Sequence, residues 1–349
     1  MDGAVGMNGG AGNKGAALIV NPHSGGTNRS GLRLAEMVRH RPGVRAYVLE
    51  RFAQLDEALA ELAATPPEAL FISSGDGTIQ YVQTWLIERS GLPRERWPVL
   101  ALLPHGSTNM TAADIGYRSK DVREQAATIA EGGWRRAGAR FHDRATVRLA
   151  NPASDGPLHG MFLGGGVLAE ATLFCRDTFN RKGLRGHWGP LLTMLSVGLK
   201  AIFRPAGPED VQRIDRPQRM RVVVDNEPLG DGWQVAVLAT TLNKLVLNAR
   251  PFWGPCTGAE QRGETPDSAQ ALRVSLFNYP YPFLLRWLPV VLWGGTNRRV
   301  HASMHSRCAS RVEVATQGRF VLDGEEVHPP AGEPLIIGRG PTLRYLLST

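Results

Sequence analysis

The chain has 349 residues, a formal net charge of +8 and 3 cysteines, a length that accommodates two domains with sizeable cores. Cys175, Cys256 and Cys308 show neither C-x-x-C spacing nor a histidine at ligand distance, so neither a zinc site nor a disulfide framework is expected and all three read as simple thiols. The positive balance favours a polyanionic partner, but its arginines are scattered without a helix-turn-helix, zinc-finger or RNP pattern, so anionic lipid headgroups are expected and nucleic acid is not.

Residues 1–14 are rich in Gly and Asn and lack an apolar h-region; they read as a disordered leader, and nothing directs the chain out of the cytoplasm. Ala16 to Val20 then reads as a strand running into Asn21-Pro22-His23-Ser24-Gly25-Gly26, followed by helical spacing of Leu32, Leu34, Ala35 and Val38. A second apolar run, Ala69 to Ile72, ends in Ser74-Gly75-Asp76-Gly77-Thr78 and restarts as a helix at Ile79, Val82, Trp85 and Leu86. A third, Val99 to Leu103, leads into Pro104-His105-Gly106-Ser107-Thr108-Asn109. Three strand-glycine-helix junctions in an alternating pattern predict a parallel sheet with its loops gathered at the carboxyl edge.

Such a junction leaves backbone N–H groups pointing outward at a helix N-terminus, where the dipole also favours an anion. Gly75 and Gly77 let the main chain approach a polyphosphate, Thr78 can cap the helix or reach a phosphate oxygen, and Asp76 can meet Mg²⁺ or a hydroxyl proton. The plainer alternative is an ordinary strand-to-helix turn capped by Asp. Neither G-x-x-x-x-G-K-[ST] nor a G-x-G-x-x-G after the first strand is present, so the seat is of neither common nucleotide-binding type.

From about residue 137 the pattern changes to short β-like runs at 145–149, 220–224, 234–238, 272–276, 311–314 and 319–322, which predict an antiparallel sandwich. Two apolar runs, 188–203 and 283–293, are too short or interrupted to span a bilayer. They suit an interfacial helix or an acyl-chain pocket, with core helices or a homodimer contact as the alternative. Asp323-Gly324-Glu325, between two β-like runs, reads by itself as a hairpin turn.

Taken together, Asn21-Pro22-His23-Ser24-Gly25, Ser74-Gly75-Asp76-Gly77-Thr78, Pro104-His105-Gly106-Ser107-Thr108-Asn109 and Leu322-Asp323-Gly324-Glu325 resemble the four ordered motifs of the diacylglycerol kinase catalytic-domain superfamily, which includes bacterial lipid kinases, sphingosine kinases and ceramide kinases. The resemblance implies a three-layer α/β N-terminal domain with a parallel sheet of NAD kinase/diacylglycerol kinase type over residues 15–136. It also implies an all-β antiparallel sandwich over 137–330 and a return of 331–349 to the first domain, with the active site in the cleft between the domains. It implies transfer of the γ-phosphoryl group of ATP to a lipid hydroxyl, by an enzyme in the cytoplasm attached peripherally to the inner face of the membrane.

Asn21, Pro22, Ser24, Gly25, Gly75, Gly77, Thr78, Gly106, Ser107 and Thr108 would line the nucleotide. Asp76 or Asp323 would act as base, and the other carboxylate or Glu325 would hold Mg²⁺ directly or through water, Asp76 itself being a candidate for either role. Met110 stands where many bacterial diacylglycerol kinases carry an acid, Ser74 matches sphingosine-type enzymes, and Gly166-Val167-Leu168-Ala169-Glu170 resembles a segment whose acid, here Glu170, holds the lipid headgroup. These departures lean towards ceramide or a sphingoid base; diacylglycerol and a non-catalytic nucleotide- or lipid-binding regulator are the alternatives. Pro266-Asp267-Ser268 departs from the family's structural-metal turn, so that metal is not carried over; His23, His105 and Arg29 are set aside as loop or surface side chains.

Overall fold

The computed structural model describes residues 15–25, 27–106, 109–182, 206–210, 213–253, 271–280, 284–294 and 299–349. The expected leader, Ser107, Thr108, the first apolar run, Cys256 and the 266–268 turn therefore lie outside the described residues. The chain forms two compact units, Met1–Arg144 with Leu343–Thr349, and Ala145–Thr342. These bounds differ from the expected 136 and 331 because single strands, Arg140–Leu149 and Leu335–Ser348, run through each crossing point.

In the first unit β1 (Ala16–Val20), β2 (Val44–Val48), β3 (Ala69–Ser74) and β4 (Val99–Pro104) pair in parallel in the order β2-β1-β3-β4. Every residue of β1 and β3 is buried, as parallel strands covered on both faces must be. One face packs Leu18, Val20 and Phe71 against Leu34 and Val38 of α1 (Arg29–Val38) and Ile129 of α5 (Val122–Ala130). α2 (Gln54–Ala64) and α3 (Asp76–Thr84) bury Leu55, Leu59, Leu62, Ile79 and Val82. Because β1 has β2 on one side and β3 on the other, successive connections leave in opposite directions. That reversal opens a crevice outside the carboxyl ends of β1 and β3.

The second unit is antiparallel in every ladder whose register is defined. Its strands β5 (Arg140–Leu149), β6 (Leu158–Gly160), β7 (Phe162–Gly166), β8 (Gln218–Val224), β9 (Glu227–Thr240), β12 (Arg311–Thr316) and β15 (Leu335–Ser348) pair in the sequence β7-β9-β8-β12-β15-β5-β6. Only Met161 separates β6 from β7, so the pairing returns on itself around a core that includes Val147, Leu163, Val222, Val237, Val274, Val312, Phe320 and Ile337. β10 (Leu272–Asn278) and β11 (Met304–Ala309) extend from β9, and the hairpin of β13 (Phe320–Leu322) and β14 (Glu325–Val327) extends from β7.

α6 (Val167–Lys182) follows β7 directly, and the described part of the second apolar run is α7 (Leu284–Trp293). Among the described residues no helix is long and apolar enough to cross a membrane. Cys175 is a buried free thiol, whereas Cys308 is disulfide-bonded. The latter corrects the expectation of simple thiols, since spacing rules detect only cysteines close in sequence.

Candidate active site

The first unit brings the three glycine loops to one place. Asn21, immediately after β1, donates its backbone N–H to the Ser73 carbonyl at 3.1 Å and its Nδ2 to Thr78 Oγ1 at 3.3 Å, bridging the first and second loops. Its Oδ1 accepts the His23 N–H at 3.0 Å, closing a local turn that carries Pro22 and Ser24. Gly25 follows at φ 65°, in the left-handed region where a side chain would be strained. A β-carbon built on Gly75 would lie 3.1 Å from Ser24 Oγ, and one built on Gly106 would lie 2.5 Å from Gly75 Cα. All three loops therefore meet at Gly75.

That meeting point is the start of α3. Gly75 is the residue that precedes the helix and, having no side chain, offers no oxygen to cap it, so the N-terminal amides over Asp76, Gly77 and Thr78 receive no side-chain cap from it. Amides without a side-chain cap, a favourable dipole and glycines where a Cβ would intrude are together the features from which a cradle for phosphate oxygens is built. Thr78 serves the cradle as the acceptor for Asn21 rather than as a cap.

Asp76 turns away from its own helix to serve another. Its Oδ2 accepts the Met110 N–H and its Oδ1 the Thr111 N–H, each at 3.0 Å, so the carboxylate caps α4 (Met110–Ile115) across the loop junction. Asn109, which would normally cap this helix, is held at φ 48° and makes a closed pair with Gly106, accepting its N–H at 2.7 Å and donating Nδ2 to its carbonyl at 2.6 Å. Burial raises the Asp76 pKa above the ordinary carboxylate value, partly offset by the Thr111 and Met110 amides.

Residues that sequence reasoning passed over fix this geometry. Asn28 is buried, caps α1 by accepting the Gly31 N–H at 2.7 Å, and directs Nδ2 at the Asn21 carbonyl, the Ser73 carbonyl and Ser73 Oγ within 2.9 to 3.2 Å. Ser73 Oγ also meets His105 Nδ1 at 2.8 Å, and burial depresses that imidazole to a pKa of about 4, keeping it neutral. An Asn just ahead of a helical run is a readable N-cap signal; its second attachment, to β3, is not readable from sequence.

The remaining motif residues sit in the second unit. Asp323 and Gly324 have φ of 50° and 93° and link Leu322 to its partner Glu325, the two-residue hairpin expected of an Asp-Gly pair with two positive φ values. Asp323 is 4% exposed, and its carboxylate accepts the Met161 N–H at 2.8 Å and the Phe162 N–H at 2.9 Å. A β-carbon on Gly160 would lie 2.6 Å from Asp323 Oδ2, so glycine is needed there to admit the acid.

Glu170 and Glu325 belong to a chain of ion pairs. Arg319 donates Nε and Nη2 to the two oxygens of Glu170 at 3.1 and 2.8 Å and Nη1 to Glu326 at 3.0 Å, while Arg176 Nη1 lies 3.3 Å from Glu325. The acid expected at a headgroup is thus already held by a bidentate arginine, whereas the acid expected at a metal is itself more exposed and makes a single, longer contact with Arg176.

A magnesium ion is compatible with these donors. It takes few protein ligands, usually one or two carboxylates together with phosphate oxygens and water, and among the described residues no group of three or more His, Cys, Asp or Glu gathers. Asp76 retains lone pairs beside the cradle, and the Glu325–Arg176 pair, with side chains 57% and 38% exposed, is of the kind that exchanges partners at little cost.

Residues 15–139 match the family model of the diacylglycerol kinase catalytic domain. No curated protein matches the chain. Among solved structures it is similar to a diacylglycerol kinase from Bacillus anthracis str. Sterne, at 13% identity and a TM-score of 0.53 over 96% of this chain and 94% of that one. A further Bacillus anthracis protein assigned as a diacylglycerol kinase gives 15% identity and a TM-score of 0.59 over 96% and 94%. These likenesses show a shared fold.

Proposed function

We propose that this chain, whose residues 15–139 match the family model of the diacylglycerol kinase catalytic domain, is a lipid kinase that transfers the γ-phosphoryl group of ATP to the hydroxyl of a membrane lipid, ceramide or a sphingoid base before diacylglycerol. The observation that carries the reading is the convergence of Ser24, Gly75 and Gly106 on the uncapped start of α3. Phosphoryl transfer asks a protein chiefly to position donor and acceptor and to neutralise charge, and this junction supplies amides, hydroxyls and one carboxylate within a single crevice.

In this reading the backbone of Gly75, Gly77 and Gly106 and the side chains of Asn21 and Ser24 bind the phosphates, with Ser107 and Thr108 in the same loop. Asp76 or Asp323 receives the hydroxyl proton. The other acid, or Glu325, would hold Mg²⁺, which when bound supplies neutralisation of the phosphate charge. Glu170 orients the lipid headgroup together with Arg319. Neutral ceramide suits the pair better than a charged amine, because Arg319 already balances the carboxylate. The enzyme would work from the cytoplasm on the inner face of the membrane.

The test is phosphorylation with labelled ATP and Mg²⁺ of ceramide, sphingosine, diacylglycerol and NAD in detergent micelles. Label in ceramide above diacylglycerol is expected. Label in none would end the lipid-kinase reading, and label only in NAD would reassign the acceptor.

A further inference from the structure

The second unit carries an exposed apolar projection that phosphoryl transfer leaves unused. In the short turn Val246–Asn248, Leu247 has φ 58° and Asn248 φ 57°. Leu247 is 62% and Val246 41% exposed. Left-handed backbone costs a bulky L-residue roughly 1–2 kcal/mol, and here that strained turn also holds a leucine in water. Trp293, at the end of α7 and 54% exposed, donates its indole N–H to the Leu247 carbonyl at 3.1 Å, which ties the two elements together. α7 itself is seated through Val291, which is buried with Trp253 and Met304. Pro289 and Trp293, four positions apart on this helix, are exposed.

Among the described residues, the segments that supply this projection and its supports, 232–253, 271–280, 284–294 and 299–312, carry no Asp or Glu, whereas Lys244, Arg250 and Arg299 lie in them. Arg250 is fixed to the end of α7 by its N–H, which donates to the Leu292 carbonyl at 2.6 Å. An aromatic with a polar edge, an exposed leucine and flanking cations combine the two attractions of an interfacial anchor, apolar burial and anionic headgroups. A second copy of the chain fits less well, because a two-fold contact would press this cationic surface against its own image.

We propose that Val246, Leu247 and Trp293 form a wedge that enters the interfacial layer of a bilayer carrying anionic lipid, with Lys244, Arg250 and Arg299 meeting the headgroups. The inference shares with the proposed reaction only the presence of a membrane, and its test reads binding without turnover.

The full chain is to be sedimented with vesicles of phosphatidylcholine alone or with about 30% phosphatidylserine, at about 0.1 and 0.5 M salt, where exposed charges are weakly and then strongly screened. Binding is expected to require phosphatidylserine and to weaken at high salt. The variant Leu247→Gln with Trp293→Gln is expected to lower the partition coefficient tenfold or more. Leu247→Gly is the companion that cannot fail for want of folding, since glycine relieves the left-handed strain. It should unfold no earlier than the parent yet bind several-fold more weakly. Equal partition of parent and variants would overturn the proposal. So would absence of binding by the parent, or a parent dimer that the double variant converts to monomer, which would assign the face to a second copy.

Discussion

Gly106 faces Gly75 so closely that a β-carbon on the former would lie 2.5 Å from the latter's Cα and 3.0 Å from its nitrogen. The obstructing atoms are backbone, which cannot swing aside as a side-chain tip would. Gly106→Ala is therefore expected to push the third loop off the second, at about 1–3 kcal/mol of overpacking, and to displace the phosphate cradle. The KM for ATP should rise at least tenfold and denaturant midpoints should fall. An unaltered KM would show that the two glycines do not shape the nucleotide seat.

Asp76 caps α4 and is proposed to act in the reaction as well. In Asp76→Asn one of the two oxygens becomes an amide N–H aimed at a backbone N–H, so one hydrogen bond is lost and two donors face each other. A cost of about 1–2 kcal/mol follows, together with loss of turnover by a thousandfold or more if the acid is base or metal ligand. The ionisation has its own signature. Burial raises the folded pKa above the unfolded value of 3.8, so the folded state holds the proton in the window just above pH 3.8, and the group's contribution to stability declines as pH rises through that window. Chemical unfolding at a series of pH values rising from 3.8 should show that slope removed in the variant. Full activity of Asp76→Asn would strip the residue of its proposed role.

The positions of these groups divide into those readable from residue order and those set by contacts across the fold. The strand-glycine-helix junctions were legible because an apolar run, a glycine turn and a 3.6-residue period occur together at residues 69–82 and again at 16–38. The parallel sheet and the antiparallel second unit followed from the change of period near residue 137. Asp76 was legible as an acid in a glycine turn between strand and helix, but its hold on Met110 and Thr111 joins residues 34 and 35 positions apart, set by β3 and β4 lying side by side. Arg319 escaped notice for the same reason, being 149 positions from Glu170. Asp323 was readable as a turn, and the turn is there; the amides of Met161 and Phe162 that hold its carboxylate come from a strand pairing no local pattern encodes.

Arg319 and Glu170 offer a separable test of headgroup recognition. Their side chains are 40% and 25% exposed, so solvent screens the pair, and a double-mutant cycle of Arg319→Ala with Glu170→Ala should give a coupling of about 1 kcal/mol. Removing Arg319 alone leaves Glu170 with a net charge that attracts an amine. The ratio of sphingosine to ceramide phosphorylation should then rise several-fold in Arg319→Ala, with the KM for ATP unchanged. Constant relative rates across the lipids would confine the pair to a structural role in the second unit.

His105 gives a prediction of opposite sign to that for Asp76. Its imidazole meets Ser73 Oγ at 2.8 Å and is held neutral, with a pKa pushed down by burial to about 4 from 6.5. In the unfolded chain the same side chain takes a proton near pH 6.5, so between pH 6.5 and about 4 the unfolded state binds more protons. The stability contributed by the neutral imidazole is complete above pH 6.5 and is lost as pH falls through that window, by about 1–2 kcal/mol after allowance for partial exposure. Urea unfolding at pH 7 and pH 5 should show the parent losing more stability on acidification than His105→Gln, which keeps a polar group near Ser73 without the titration. Because the folded imidazole stays neutral until pH falls to about 4, its bond to Ser73, which joins the second and third loops, should persist over the same interval, and ATP affinity of the folded parent should fall on its account only near that lower limit. Parallel acid limbs for parent and variant would mean that the imidazole is hydrated in solution and does not brace the loops.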